Sequence, residues 1–323
     1  MNLNPNSNLK VYPNGNYFCI LDTNTGTKIR YNKLNFFKAD RPENMDIKIT
    51  NRCTNPCGTR ECPKNCEYCH ENSGPNGKHS DALNSKFLET LPEWTECAYG
   101  GGNVLEYPDL VPLLRKSKNL HLISNITVNQ KHFMENLSFL RELVNQKLIY
   151  GLGISLTDPY QDGFIAAVKT FPNAVIHVIN GVVTPAQLSA LGCKDLKILI
   201  LGYKEVRRGV AYKADVDHMV EFRKNRLYAS LPFIAEHNWF KTISFDNLAL
   251  EQLEPKRFLS DEFYQNHYLG CDGIDGETQT SASYYVDLVE NVFARNSCDV
   301  NHRYPLENHT ATECYQLLRD NKI

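Results

Sequence analysis

Apolar residues recur along most of the chain in two alternating patterns, one typical of strands and one of helices. In the strand pattern, apolar side chains stand at every second position, as at Met45, Ile47 and Ile49. Such runs predict strands at 45–50, 95–99, 119–124, 150–156, 174–179, 197–201 and 241–245. Apolar residues three and four positions apart predict helices between them, at 81–91, 108–117, 130–147, 159–171, 184–191, 215–227 and 247–253.

This alternation of strands and helices predicts an α/β fold. A strand, a crossover helix and a second strand form a unit in which the two strands run parallel. Six or seven such units build a partial or full β/α barrel. Active sites of these barrels lie at the C-terminal ends of the strands, so we expect functional residues just after each predicted strand.

Both ends of the chain break the alternation and predict small β appendages. Residues 16–21 and 27–31 resemble the two strands of a hairpin. Near the other end, residues 284–288 and 292–295 predict a second hairpin, and 310–321 a short helix. The sequence therefore predicts an N-terminal appendage at 1–44, a barrel core at 45–254 and a C-terminal hairpin and helix extension at 255–323.

Composition limits the classes of function. The 323 residues are 42% hydrophobic, which is enough for a large core. The net charge of −2 gives no strong signal for nucleic acid. No run of about 18 apolar residues predicts a membrane span, and the polar N-terminus lacks the apolar region of a signal peptide. We therefore expect a cytoplasmic protein, where clustered cysteines indicate a metal site rather than disulfides.

Cysteines cluster directly after the first predicted barrel strand. Residues 53–69 hold five of the chain's eleven cysteines, and the last three, Cys62, Cys66 and Cys69, form a C-x3-C-x2-C motif. Three thiolates at this spacing can hold three irons of a 4Fe–4S cubane, whereas ordinary electron-transfer cubanes have four cysteine ligands. The fourth iron would stay open to bind a small molecule and act on it.

Two alternatives to this ligand set remain open. Cys53 follows the strand more closely and could replace Cys62 as the first ligand, although the loop to Cys66 would then be longer; short loops cost less entropy to close, which favours Cys62. Alternatively, Cys53 with Cys57 and Cys66 with Cys69 have spacings that suit a structural zinc site. The isolated Cys271, Cys298 and Cys314 do not predict an auxiliary cluster.

A glycine-rich turn follows the second predicted strand. It consists of Gly100, Gly101, Gly102 and Asn103, and glycine lets a backbone approach a ligand closely. A C-x3-C-x2-C loop after the first strand and a glycine turn after the second resemble the radical S-adenosylmethionine (radical SAM) superfamily. The resemblance covers roughly residues 45–250.

The resemblance to this superfamily implies roles for individual residues. Tyr68, between the last two cysteines, would lie against the adenine of SAM. The three glycines would bind the amino group of SAM through backbone oxygens. Asn103 stands where the superfamily usually has glutamate, so it keeps an oxygen acceptor but lacks the charge. Ser155, on the fourth predicted barrel strand, would contact the ribose or the carboxylate of SAM.

The resemblance also implies an activity. A 4Fe–4S cluster would reductively cleave SAM to a 5′-deoxyadenosyl radical, which would abstract hydrogen from a substrate carbon. An external reductant of the flavodoxin or ferredoxin type would supply the electron. The sequence identifies no catalytic side chain and does not distinguish a small-molecule, nucleoside or peptide substrate. Two other functions stay open, a zinc-stabilised binding module without catalysis and a cluster-binding barrel that has lost SAM chemistry.

Overall fold

The computed structural model describes residues 7–34, 36–54, 66–268, 270, 272, 279–320 and 322–323. Its N-terminal part is a three-stranded antiparallel sheet of β1 (Leu9–Asn14), β2 (Tyr17–Asp22) and β3 (Lys28–Tyr31). Alternate side chains of this sheet, among them Tyr12, Cys19 and Leu21, are buried against the rest of the molecule. The alternation is the one expected of a sheet with one covered face.

A second sheet of ten strands forms the centre of the molecule. Its strands are β4 (Asn44–Thr50), β5 (Glu96–Gly101), β6 (Ile123–Asn129), β7 (Gly151–Ser155), β8 (Ala174–Ile179), β9 (Lys197–Leu201), β10 (Thr242–Phe245), β11 (Ser283–Asp287), β12 (Val292–Ala294) and β13 (Tyr304–Pro305). Their order is β10-β9-β8-β7-β6-β5-β4-β11-β12-β13. Strands β4 to β10 are parallel and adjacent in chain order, as repeated β-α units require.

Helices connect the strands. They are α1 (Leu110–Asn119), α2 (Gln130–Glu135), α3 (Leu137–Asn145), α4 (Phe164–Lys169), α5 (Pro185–Leu191), α6 (Arg208–Glu236), α7 (Asn247–Leu253), α8 (Asp261–His267) and α9 (Ala311–Arg319). Thr184 and Gln187 form a complete capping box at the start of α5, and Thr310 and Glu313 do so at α9. No described helix is long and apolar enough to cross a bilayer.

The C-terminal segment belongs to the same sheet as the barrel strands. Strand β11 runs parallel to β4, with Asp287 opposite Lys48, and β12 and β13 follow it in antiparallel order. Strand β4 therefore lies between β5 and β11, so the segment that follows β4 emerges in the middle of the sheet. The domain boundaries at 44/45 and 254/255 stay predictions.

The two faces of β4 have different environments. Met45, Ile47 and Ile49 are fully buried in the hydrophobic core. Asp46 and Lys48, on the opposite face, line a cavity inside the curved sheet. The predicted α/β fold with parallel barrel strands is confirmed.

Three element predictions were wrong in position or type. The segment 81–91 forms two short 3₁₀ turns instead of an α-helix, because the Ser85 hydroxyl accepts the Phe87 N–H and interrupts the helical pattern. Strand β6 lies about four residues later than predicted, since its cavity-facing side chains are polar. Helix α6 is far longer than 215–227 and has a kink at Val216.

We predict that the N-terminal sheet depends on one buried carboxylate. Glu43 is fully buried and pairs with Arg30 at 2.9 Å and Lys28 at 3.5 Å, both on β3. Burial raises the pKa of Glu43, but Arg30 and Lys28 lower it below its ordinary value overall. Glu43→Gln removes the charge and should lower the free energy of unfolding in urea by about 3 kcal/mol.

The control for this experiment is Glu205→Gln, which breaks an exposed pair with Lys213. It should leave the unfolding midpoint nearly unchanged, because exposed ion pairs contribute little. An equal loss in both variants would contradict the assigned role of Glu43.

Candidate active site

A cavity of about 1300 Å³ opens at the C-terminal ends of the parallel strands. The ends of β5, β7 and β9 contribute Gly101, Ser155 and Leu201 to its wall. This is the end of a β/α barrel where active sites are found. Ligand pockets commonly measure about 300–1,000 Å³, so the cavity has room for a cofactor and part of a substrate.

Backbone hydrogen bonds hold the two ends of the segment 51–74, which carries the clustered cysteines and is called the cysteine segment here. The Cys53 N–H donates to the Gly74 carbonyl at 2.8 Å, and the Gly74 N–H donates to the Asn51 carbonyl at 3.0 Å. Between these points, the Cys69 N–H donates to the Cys66 carbonyl at 3.1 Å, which forms a tight turn. Cys53, Cys66 and Cys69 all line the cavity.

The predicted ligand Cys62 lies outside the described residues, as do Cys57 and Cys271. Within the described ranges, no three His, Cys, Asp or Glu side chains form a group that could hold a metal ion. The described residues therefore provide two thiols in one turn, Cys66 and Cys69, and a third thiol, Cys53, that lines the same cavity. A third thiol close to this pair is what a three-cysteine cluster would require.

Tyr68, between Cys66 and Cys69, also lines the cavity. Its ring meets that of Tyr212 on α6 edge-on, with ring centroids 5.5 Å apart. Tyr212 in turn accepts a hydrogen bond from Arg223. The cysteine segment is thus braced against α6, and Tyr68 is placed at the cavity wall.

The glycine turn packs against the end of β4. Gly101 has a φ of +108°, and a Cβ atom there would lie 2.1 Å from the Thr50 carbonyl oxygen. A Cβ atom on Gly102 would lie 2.0 Å from the Arg52 carbonyl oxygen. A Cβ atom on Gly100 would meet nothing within 4 Å. Gly101 and Gly102 are therefore needed for close backbone packing, whereas Gly100 borders open space.

Asn103 caps the short 3₁₀ turn that follows it and links the glycine turn to Glu106. Its side-chain oxygen accepts the Leu105 N–H at 3.1 Å, and its amide donates to Glu106 at 2.9 Å. Glu106 also accepts from the backbone and hydroxyl of Thr54 and pairs with Arg52 at 3.4 Å. Burial raises the pKa of Glu106, but the hydrogen bonds from Thr54 and Asn103 lower it overall. Asn103 and Glu106 thus fasten the glycine turn to the start of the cysteine segment.

Ser155 ends β7 and faces the cavity beside His177, its neighbour on β8. Burial lowers the pKa of His177 to about 4, so the imidazole is neutral near pH 7. A Cβ atom on Gly153 would lie 2.4 Å from the His177 ring, so glycine at this position makes room for the imidazole. The pair offers a hydroxyl and a neutral imidazole to a ligand.

A buried ammonium group joins three parts of the chain. Lys48 of β4 lies 3.1 Å from a Glu71 oxygen and 3.0 Å from an Asp287 oxygen of β11. The side chains of all three are at most 6% exposed. Glu71 follows the cysteine turn by two residues, so this network fixes the turn to both strands.

Glu71 is ionised even though it is buried. Burial raises its pKa, but interactions with His70, Lys48 and Arg207 lower it to about 2 overall. Near pH 7 the positive charges come from Lys48 and from Arg207, whose guanidinium lies 3.4 Å from the carboxylate. His70 contributes no charge near pH 7, because burial and the nearby Lys204 lower its pKa to about 3.

Two further ionisable side chains lie on the cavity wall. Lys204 follows β9 and donates to the Ser297 hydroxyl at 2.9 Å, with the His70 ring 3.4 Å away. Asp46 on β4 faces the open space of the cavity. The surrounding protein raises the pKa of Asp46 to about 6 through desolvation, although Lys204 opposes the shift. The inner wall of the barrel is thus polar and charged.

Sequence reasoning missed Glu71, Glu106, His177 and Asp287. Asp287 lies near the C-terminus and meets Lys48 only because β11 returns to pair with β4. His177 does follow the alternation of β8, on the face opposite the buried Ala174, Ile176 and Val178. A polar residue on the inner face of a barrel strand was therefore a signal that the sequence offered.

We predict that alanine at two adjacent glycines of the turn has different effects on the free energy of unfolding. Gly101→Ala should lower the free energy of unfolding by about 3 kcal/mol, because of its positive φ and the contact with the Thr50 carbonyl. Gly100→Ala should unfold at nearly the same urea concentration as the unmodified chain. Equal unfolding curves for the two variants would contradict this packing.

We also predict that Lys48 is essential for stability. Lys48→Met keeps the length of the side chain but leaves two buried carboxylates without their ammonium partner. The free energy of unfolding should fall by about 3–5 kcal/mol at pH 7. Lys213→Met, which removes an exposed lysine, should change it little. A Lys48→Met variant as stable as that control would contradict the network.

No protein-family model matches the sequence. A search of the curated proteins also finds no match. Among solved structures, the chain is similar to Streptococcus suis SuiB bound to the precursor peptide SuiA, with a TM-score of 0.53 and 15% identity over 88% of this chain and 66% of SuiB. SuiB bound to S-adenosylmethionine gives a TM-score of 0.52 and 14% identity over 88% and 67%. A further SuiB structure gives 0.54 and 12% over 97% and 87%.

These identities limit the likeness to the fold. Against the first two SuiB structures, the chain spans about two thirds of the length of SuiB. The similarity extends over most of this chain. The chain shares its fold with SuiB.

Proposed function

We propose that this protein is a radical SAM enzyme. In the proposal, Cys62, Cys66 and Cys69 hold a 4Fe–4S cluster with one open iron, and SAM binds in the barrel cavity. The observation that carries the proposal is the position of Cys66 and Cys69. They lie in a tight turn of the segment that follows the first barrel strand, on the wall of the cavity that the glycine turn and Ser155 also line. A solved protein with the same fold binds SAM.

The residues of the cavity suit such a ligand. Thiolates favour soft metals such as iron in clusters. Gly100 leaves open space beside its backbone, which suits a ligand amino group. Tyr68 offers an aromatic ring at the wall. Asn103 keeps an uncharged oxygen where the superfamily has glutamate, but that oxygen already accepts the Leu105 N–H. We therefore assign Asn103 to the shape of the turn and the amino group to the glycine backbone.

Each side chain has a separate task in the proposed mechanism. The cofactors, when bound, supply a radical that can abstract hydrogen from a carbon atom. Tyr68 orients the adenine, and Ser155 with the neutral His177 holds the sugar or the carboxylate. Lys48, Glu71 and Asp287 keep the cysteine turn in one position relative to β4 and β11. The walls of the cavity exclude bulk water.

We further propose a peptide as the substrate, ahead of a nucleoside or another small molecule. The support is the SuiB structure with a precursor peptide, since that protein shares this fold. The volume of the cavity is consistent with a substrate chain beside SAM. A flavodoxin or ferredoxin would supply the electron.

Metal analysis of cysteine variants tests the proposal. After anaerobic reconstitution, the unmodified chain should bind about four irons and four sulfides, and dithionite with SAM should yield 5′-deoxyadenosine. Cys66→Ser and Cys62→Ser should each lose most of the iron. Cys53→Ser should keep it, because the shorter loop from Cys62 to Cys66 costs less entropy to close than the loop from Cys53.

The same experiment separates the other functions. Zinc at one ion per chain with no iron would favour a structural cysteine site and overturn the proposal. A full iron content without 5′-deoxyadenosine would indicate a barrel that binds a cluster but has lost SAM chemistry. Loss of iron in Cys53→Ser but not in Cys62→Ser would move the first ligand to Cys53.

A further inference from the structure

One part of the cavity wall carries hydrogen-bond donors that the protein does not use. Arg208 and Arg223 of α6 and Ser73 of the cysteine segment all line the cavity. The Nε atoms of both arginines are buried and have no acceptor among the described residues. The Ser73 hydroxyl is also buried without a partner, and this residue is only 3% exposed. A buried donor without an acceptor lowers the stability of the fold. A group of such donors on a cavity wall therefore indicates a place where a ligand would bind.

Two of these donors are in contact. One guanidinium nitrogen of Arg208 donates to the Ser73 backbone carbonyl, which places the Arg208 side chain against Ser73. Arg223 lies beyond the kink at Val216 and donates to the Tyr212 hydroxyl at 3.3 Å. Arg208 and Ser73 therefore form the compact part of this group.

The charge of this patch is not balanced by the described side chains. Neither Arg208 nor Arg223 forms an ion pair with any described carboxylate. Glu71, the nearest acid along the segment, is already paired with Lys48 and Arg207 and accepts the Tyr285 hydroxyl. The Arg208 guanidinium and the Ser73 hydroxyl line the same cavity. The two groups together suit an oxyanion, since arginine binds carboxylates through paired N–H groups.

We propose that Ser73 and Arg208 form an anion-binding subsite that takes a carboxylate of the substrate. This inference rests on the proposed function for the identity of the cavity as a substrate site. The subsite lies on the β11 side of β4, because Arg207 and Glu71 next to it contact Lys48 and Tyr285. The glycine turn and Ser155, proposed for SAM, lie on the β5 side. We therefore assign the carboxylate to the substrate, and titration with SAM distinguishes it from the carboxylate of SAM.

A pair of matched probes tests the subsite. Glutarate carries carboxylates, and glutaramide has the same skeleton without charge. In thermal unfolding of the full chain, purified anaerobically, glutarate should raise the melting temperature more than glutaramide at equal ionic strength. Arg208→Gln should weaken the apparent glutarate affinity by about tenfold. Arg226→Gln, on the same helix but exposed and away from the cavity, should leave it unchanged.

Ser73→Ala separates binding from folding. The Ser73 hydroxyl has no protein partner, so its removal should keep or raise the melting temperature of the ligand-free chain. The same change should reduce the stabilisation by glutarate. A normal glutarate response in both Ser73→Ala and Arg208→Gln would overturn the proposal, as would equal responses of the unmodified chain to glutarate and glutaramide.

Titration with SAM distinguishes a carboxylate of the substrate from the carboxylate of SAM. If the subsite serves the substrate, saturating SAM leaves the glutarate response intact, and Arg208→Gln binds SAM within about twofold of the unmodified chain. Loss of the glutarate response on adding SAM, with tenfold weaker SAM binding in Arg208→Gln, would assign the subsite to SAM and overturn the proposal. A glutarate response in a chain that binds no SAM would uphold the subsite while the proposed enzyme function fails.

Discussion

The structure of the site depends on one buried ammonium group. Lys48 lies between the carboxylates of Glu71 and Asp287, and all three side chains are nearly inaccessible to solvent. Each of these residues comes from a different part of the chain, and none could be buried alone at acceptable cost. Together with Arg207, which also pairs with Glu71, their opposite charges hold the cysteine turn against β4 and β11. It also joins the C-terminal strand to the first barrel strand.

This constraint explains why the C-terminal segment is part of the barrel rather than a separate appendage in space. Strand β11 follows a long excursion through α7 and α8, yet it pairs in parallel with β4 and brings Asp287 opposite Lys48. Ser297 reaches Lys204 on the far side of the cavity. The last 40 or so residues therefore form part of the cavity wall beside the cysteine segment.

The sequence predicted the parts of the fold that depend on local pattern. Strands β8 and β9 and helices α5 and α7 were placed within a residue or two, because their apolar periodicity is regular and their helix starts carry capping residues. Strand β6 was misplaced because its inner residues, including Thr127 and Asn129, are polar where they meet the cavity. The pattern of a buried parallel strand does not hold on a face that lines a cavity.

The residues of the candidate site also divide into those that the sequence predicted and those that it did not. Cys66, Cys69, Tyr68, the glycine turn and Ser155 were named from spacing and resemblance, and their assignment to cofactors stays a prediction. Asp287 was missed because its pairing with Lys48 spans more than 200 residues of sequence. Glu71 was missed because its pairing with Lys48 depends on the path of the segment between them, which no local pattern encodes. The unused donors of Ser73 and Arg208 could be recognised only once neighbouring partners were known.

The most direct test of the account is electron paramagnetic resonance of the anaerobically reconstituted, dithionite-reduced protein, before and after addition of SAM. We expect the signal of a reduced 4Fe–4S cluster whose g-values shift when SAM is added. The shift would arise because an open iron would bind the amino and carboxylate groups of the cofactor. A cluster signal that SAM leaves unchanged would contradict SAM binding at this site. The absence of any iron signal would contradict the cluster itself.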